Sequence, residues 1–318
     1  MLATLHSLNF AAPERPNVQA DDLMSEGGRK VMAFHFGRLL TKQADVLASD
    51  DSEAVHQMRV ATRRLRSTLR IFRPYYRPRA LRPFRHALRA VAEALGSVRD
   101  LDVYREHLAS YAKQQPAASR RELRLLDASL AAPHAALRQS LCDYLLSEAH
   151  TEFLSAFAAF VQTPLAGARE VAAELPVPQR VCEVVPRLIY EQYGIVRAYA
   201  PFLSTATPKQ LHALRIEVKR LRYLIEAFGE LLGTHAELPV EACKQLQDFL
   251  GEVQDSEVAG QLTAHYLPTV QRGKRALQRY LSARHAQGER LRAAVAEQWA
   301  IFSAPAVREA LALAIAVL

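Results

Sequence analysis

The feature that most restricts what this chain can fold into is a repeat. His56-Gln-Met-Arg59-Val-Ala-Thr-Arg63-Arg64-Leu-Arg66 returns 156 residues later as His212-Ala-Leu-Arg215-Ile-Glu-Val-Lys219-Arg220-Leu-Arg222. Both stretches read His, two residues, Arg, an aliphatic, two residues, a basic pair, Leu, Arg. A second landmark, Leu95-Gly96-Ser-Val98-Arg-Asp100-Leu-Asp102-Val103, returns 155 residues on as Leu250-Gly251-Glu-Val253-Gln-Asp255-Ser-Glu257-Val258. One residue has been lost between the landmarks, so two copies of one supersecondary unit is the economical account.

The unit reads as helical. At about 100° per residue, His56, Arg59, Arg63, Arg66, Arg70 and Arg73 share one stripe, while Met58, Ala61, Leu65, Leu69 and Phe72 lie opposite. In the second copy His212, Arg215, Lys219 and Arg222 share a face, with Leu214, Leu221, Ile225 and Phe228 on the other side. That copy is weaker: Glu226 stands where Arg70 stood, Gly229 where Arg73 stood, and Glu217 interrupts. Counting back from the landmark glycines, Lys244 corresponds to Arg89.

The first copy has no acidic counterpart. From Ala54 to Ala92 there are eleven Arg and no Asp or Glu. A charged face is ordinarily a solvated flank, but charge of one sign at this density repels itself and calls for an anionic partner. The whole chain carries 41 Lys and Arg against 33 Asp and Glu, a net charge of +8, so the concentration in one segment says more than the total. Nucleic acid, phosphate polymers and anionic lipid surfaces would all suit it.

Half the 318 residues are apolar or aromatic and only 12 are Gly, which favours long helices over a turn-rich β protein. The length allows one large core or two ordinary domains, and two is the expectation. Cys142, Cys182 and Cys243 are scattered and form no CxxC pair, so neither a disulfide framework nor a zinc site is indicated. No run of about 18 apolar residues or secretory leader is evident, which points to a soluble, cytoplasmic chain. The apolar Ala310 to Leu318 is too short to span a bilayer and is expected to pack as a helix end.

In order, residues 1–28 read as a poorly ordered lead-in, with Pro13, Pro16 and Gly27-Gly28. A helix follows from Arg29 to Ala48, and Ser49-Asp50-Asp51-Ser52 supplies side-chain oxygens to cap the next. That basic helix ends near Arg73-Pro74. A third runs from Ala80 to Leu95, with Gly96 as its C-cap, and a fourth opens at Ser97. Two more are expected over Ser119 to Glu148 and Thr151 to Val161. The halves are thus 29–162 and 183–318, joined by a linker over 163–182.

The two landmark motifs resemble those of the CHAD domain, an α-helical domain named for its histidines, and the likeness runs from about Arg29 to the C-terminus. It implies an all-α fold of two pseudo-twofold-related antiparallel helical bundles, whose basic, His-containing helices face a shared groove or pore. It also implies binding of inorganic polyphosphate, in some relatives at polyphosphate granules. On this reading the ligand residues are His56, Arg59, Arg63, Arg66, Arg70 and Arg89 from the first copy and His212, Arg215, Lys219, Arg222 and Lys244 from the second. Gln254, where the first copy has Arg99, and Ser256, where it has Leu101, depart from the motif. The second copy's share of binding is correspondingly smaller.

The residue types suit that ligand. Polyphosphate offers one charge per repeat and no bases, so its binder needs successive cationic donors without stacking platforms. Arginine presents a permanently charged fork of donors that engages phosphate oxygens bidentately. The histidines at the head of each stripe are expected to be held more protonated beside a polyanion, tightening binding as pH falls. No cofactor is implied. Nucleic acid is the main rival partner, disfavoured because the stripe lacks interleaved aromatics and no helix-turn-helix, RRM or zinc-finger pattern is present. A metal-dependent phosphohydrolase using His56, His212, Asp100 and Asp102 is weaker still: neither copy has HxxxH or HExxH, and surrounding arginines repel a cation. Asp100 and Asp102 more naturally cap a helix or pair with an Arg. A membrane surface is disfavoured because a folded bundle hides the apolar side of the basic helix.

Overall fold

A computed structural model describes residues 8, 10–170, 177–266 and 274–318. Among them the fold is all-helical, with two isolated bridges, Leu23 to Arg180 and Tyr76 to Ala168, in place of any sheet. The principal helices are α1 (Met24–Ala48), α2 (Ser52–Phe72), α3 (Pro78–Lys113), α4 (Ala117–Ser129), α5 (Ala131–Leu145) and α6 (Glu148–Gln162). They are followed by α7 (Val181–Arg197), α8 (Pro208–Ala227), α9 (Glu237–Tyr266), α10 (Lys274–Ala293), α11 (Val295–Phe302) and α12 (Pro305–Ala316).

Helix α2 forms where its caps and stripes demand. Asp51 accepts from the Glu53 backbone N–H at 2.9 Å, closing one orphan donor at the N-terminus. At the other end Pro74 ends the α-helix at Phe72 in a short 3₁₀ turn. Met58, Leu65, Leu69 and Phe72 are essentially inaccessible to solvent, as the helical stripe requires; burying each contributes about 1.5–3 kcal/mol. In α8, Thr207 and Gln210 form a capping box, and Leu214, Leu221, Ile225 and Phe228 are buried.

One core runs through both halves of the chain, from Val31 and Phe36 through Leu65 and Phe157 to Leu214, Ile225, Trp299 and Ile315. The expectation of two separate domains therefore gives way to segments sharing one interior. A smaller core at the far end of α3 gathers Tyr104, Leu108, Leu123 and Tyr280.

Several sequence boundaries move. The lead-in is anchored where it is described: Val18 is buried, Asn17 donates its backbone N–H to Glu230 at 2.9 Å, and α1 already begins at Met24. Residues 1–7 and 9 of the lead-in, and 171–176 of the linker, lie outside the described residues. Gly96 is no C-cap, for α3 continues through it to Lys113 because Leu88, Val91, Leu95, Val98, Leu101 and Tyr104 keep one uninterrupted buried seam. The helix expected over Ser119 to Glu148 is two, meeting at Leu130. Arg138 on α5 caps the end of α1, donating to the Val46 carbonyl at 2.7 Å and also to that of Ser49. The C-terminal Val295–Ala316 has the length and apolarity of a membrane span by composition, with a mean hydropathy of 1.4. It is broken between Phe302 and Pro305, and Val295, Phe302, Leu311 and Ala314 face the core.

A candidate anion-binding cavity

Helices α2, α3 and α8 enclose an open cavity of about 990 Å³. Arg59, Arg63, Arg66, Arg70 and Arg73 line it from α2 and the turn after it, Arg82, Arg85, His86 and Arg89 from α3, and Arg215, Lys219 and Arg220 from α8. Eleven Arg and Lys side chains thus face it against one carboxylate, Glu93, which is held by Arg89 at 2.7 Å. Each α2 arginine is about one turn from the next, roughly 5–6 Å along the axis, so the donors form a row.

The row is held in place by specific neighbours. Arg63 donates from Nε to the Tyr223 hydroxyl at 2.6 Å, joining α2 to α8. Glu226, at the end of α8, pairs with Arg64 at 2.7 Å and reaches Arg222 at 3.7 Å. Arg59 and Arg215, equivalent in the repeat, each lie against a landmark glycine of the long helix behind them. A Cβ on Gly96 would stand 3.0 Å from Arg59 Nη1, and one on Gly251 would stand 3.4 Å from Arg215 Nη2. The glycines are notches that let a guanidinium cross a helix at close range.

Burial and mutual repulsion act together on the cationic groups of the lining. Burial, then the charge of Arg89, lowers the pKa of Arg66; burial, then Arg220, lowers that of Arg70 to about 10. Arg215 is lowered by burial, with Asp255 opposing and Arg63 adding to the shift. Lys219 is lowered furthest, to about 7, by burial followed by Arg63, Arg215, Arg59 and Arg222. An anion in the cavity would relieve all of these repulsions at once.

Seven of the sequence-derived residues meet here: Arg59, Arg63, Arg66, Arg70, Arg89, Arg215 and Lys219. His56, His212, Arg222 and Lys244 are not among the lining residues. His56 is half-buried, and burial with the nearby Arg99 lowers its pKa. His212 is bound through Nδ1 to Gln254 Oε1 at 2.8 Å. Arg222 is turned into the protein, 8% exposed, because Glu226 one turn on and the Tyr223 ring 5.0 Å away hold it there. Lys244 is exposed beside Glu241 at 3.5 Å. Sequence reasoning passed over Arg73, Arg82, Arg85, His86 and Arg220 as ligands, although all but Arg220 lie within the acid-free run.

The acidic landmark residues serve the framework. Asp100 lies 3.9 Å from Arg59, and the buried Asp102 meets His134 Nε2 at 2.6 Å. Among the described residues no three His, Cys, Asp or Glu side chains are grouped to hold a metal ion.

A family model for the CHAD domain matches residues 30–264. This chain belongs to the CHAD family. Two uncharacterised proteins of Mycobacterium tuberculosis, strains H37Rv and CDC 1551, are each 31% identical to it over 223 residues, 66% of the chain. The CHAD chain spans 40% of the length of those relatives. Among solved structures, the CHAD domain of the plant Ricinus communis superposes with a TM-score of 0.74 at 24% identity, covering 92% of this chain and 97% of the plant domain. PptA from Streptomyces chartreusis superposes with a TM-score of 0.65 at 16% identity, covering 87% of this chain and 99% of that one. At such identities these two structures speak for the CHAD fold alone.

Proposed function

We propose that this protein binds inorganic polyphosphate in the arginine-lined cavity, as a binding protein and not an enzyme, in the cytoplasm and at polyphosphate granules where these form. The observation that carries the reading is the lining itself, eleven cationic side chains and one carboxylate that is already paired. A row of guanidiniums one helical turn apart matches a ligand that repeats its charge and carries nothing else to be recognised.

The fold behind the cavity is a duplicated unit with approximate twofold symmetry. Among the described residues, six longer helices lie in each half, with the short helix Gly229–Leu232 additional in the second. The notches Gly96 and Gly251 receive the equivalent Arg59 and Arg215. Phe72 and Phe228, equivalent in the repeat, meet with ring centroids 5.7 Å apart, as residues beside a twofold axis would. The two halves contribute unequally because Glu226 and Tyr223 draw Arg222 away from the ligand side.

Nucleic acid would use the same charges, but no Phe, Tyr or Trp lines the cavity, Tyr223 beneath the guanidiniums is 4% exposed, and His86 is the single aromatic ring in the lining. Competition at matched salt between long-chain polyphosphate and single-stranded DNA or RNA for a fluorescent polyphosphate probe separates the two. Displacement by unlabelled polyphosphate at concentrations at which nucleic acid leaves the probe bound is expected. Equal displacement by nucleic acid would overturn the assignment.

A further inference from the structure

The two ends of the cavity differ. Along α2 the lining runs from Arg59 to Arg73, roughly 21 Å at the helical rise. At the Arg73 end the walls are open: Arg73, Arg82 and Arg85 are exposed, and Arg77 and Arg79 carry exposed positive charge beyond the lining. No Asp or Glu interrupts the sequence there, from Ala54 to Ala92. At the Arg59 end the cations draw together and sink. Arg59, Arg63, Arg215 and Lys219 are all half-buried, and the three guanidiniums act on the Lys219 ammonium.

The lining stops at that end, and the sign of the charge reverses. The Arg59 and Arg215 guanidiniums lie across the notches at Gly96 and Gly251, and the residues one turn earlier, His56 and His212, are outside the lining. Beyond them stand carboxylates. The Asp100 side chain is 61% exposed and 3.9 Å from Arg59, Asp255 and Asp248 of α9 act on Arg215, and Glu53 and Glu106 act on His56. A polyanion is drawn in from the acid-free end and repelled from going further.

A polyphosphate chain offers two kinds of group. An interior phosphate bridges two neighbours and carries one charge. A terminal phosphate is bridged once, keeps three free oxygens and, like a phosphate monoester, carries about −1.5 to −2 at neutral pH. We propose that the cavity captures the end of the chain, with the terminal phosphate among Arg59, Arg63, Arg215 and Lys219 and the following phosphates leaving along α2 and α3 past Arg73. The most charged group of the ligand then meets the most enclosed cations of the site, where water screens their attraction least. A chain continuing through the inner end would have to run past Asp100 and Asp255. Each linear chain therefore presents two sites, whatever its length.

End capture rests on the cavity being the polyphosphate site, and the test keeps the two separable. Full-length protein in excess is mixed with linear polyphosphates of two lengths differing severalfold, and the proteins bound per chain are counted by sedimentation velocity. In parallel, affinity is measured for a short linear chain with free ends and for the same chain with both ends blocked as phosphoramidates. The count should stay at two or fewer for both lengths, and blocking should weaken binding at least about tenfold. Lys219→Met, at the inner end, should shrink that ratio, whereas Arg85→Met, at the open end, should weaken both ligands alike and preserve it. A count rising in proportion to length, or equal affinity for free and blocked chains, would overturn end capture and leave the cavity as a site for the side of the polymer. A ratio lost in Arg85→Met and kept in Lys219→Met would put the chain end at the other mouth and overturn it equally. Failure to bind either ligand would sink the polymer reading and end capture with it.

Discussion

Arg63 on the first basic helix is tied to Tyr223 on the second, Nε to hydroxyl at 2.6 Å, and the same ring lies under Arg64 at 5.4 Å and Arg222 at 5.0 Å. One buried tyrosine thus anchors three guanidiniums at the junction of the two halves. Tyr223→Phe keeps the ring and removes the acceptor. It should cost about 0.5–1.5 kcal/mol, read from the urea midpoint, because Arg63 loses the Tyr223 hydroxyl as acceptor. Polyphosphate affinity should fall less than tenfold, since the charge is retained and only its aim is lost.

The landmark glycines should respond differently from one another. Ala is favoured over Gly inside a helix by about 0.8–1.0 kcal/mol, and both sites are helical interiors. In Gly96→Ala the new methyl meets Arg59 Nη1 at 3.0 Å, so the side chain must move out of its notch. The expected outcome is a protein no less stable that binds polyphosphate more weakly. In Gly251→Ala the contact with Arg215 is 3.4 Å, which the guanidinium accommodates, and binding should be nearly unchanged. Thermal melts and titrations of both variants check the pair, and equal losses of binding in the two would contradict the notch.

Much of this arrangement was legible in the sequence, and the misses share a physical cause. Spacing of 3 and 4 placed Arg59, Arg63, Arg66 and Arg70 on one face because that regularity is local to a helix. The register of α2 against α3 is tertiary, so the acid-free run could be seen through Arg89 while Arg82 and Arg85 could not be assigned to the same cavity. Arg222 occupies the position equivalent to Arg66, yet a carboxylate four residues on and a neighbouring aromatic turn it inward. Gly96 read as a stop because glycine usually ends helices, and its partner, Arg59, is 37 residues away in sequence. Local patterns fixed which residues face together, and long-range packing decided which faces meet.

Glu226 looked like an interruption of the second basic stripe and instead joins the halves through Arg64 and Arg222. Glu226→Ala should destabilise the fold by about 1–3 kcal/mol, below the 3–5 kcal/mol of a fully buried broken pair because these groups keep partial solvent access. Polyphosphate affinity should not decrease, since the change only adds net positive charge. A stable variant with weakened binding would show that Glu226 acts on the ligand side.

The pH dependence should follow Lys219. Its pKa in the free fold is lowered to about 7 by burial and by Arg63, Arg215, Arg59 and Arg222, from 10.5 unperturbed. The free fold therefore binds fewer protons here than the unfolded chain between about pH 7 and 10.5, and this site makes stability rise with pH across that window. Lys219→Met should raise the melting temperature at pH 7 by about 2–4 °C, equivalent to roughly 1 kcal/mol, and by less at pH 10. A bound polyanion reverses the balance by favouring the ammonium. Affinity should tighten by up to about tenfold per unit as pH falls from about 8.5 to 7, flatten in Lys219→Arg, and keep its slope in His56→Ala.

The most direct measurement is titration with polyphosphates of increasing length at two salt concentrations, comparing wild type with Arg63→Ala/Arg66→Ala. Wild-type affinity should climb with chain length until the arginine row is filled and fall steeply with salt as counterions are released. The double variant should bind about 100-fold more weakly, at about 1.4 kcal/mol per lost contact. Its logarithmic salt slope should be shallower by about 1.4, or 0.7 for each. Unchanged affinity and salt slope in the double variant would contradict the assignment of the polymer to this cavity.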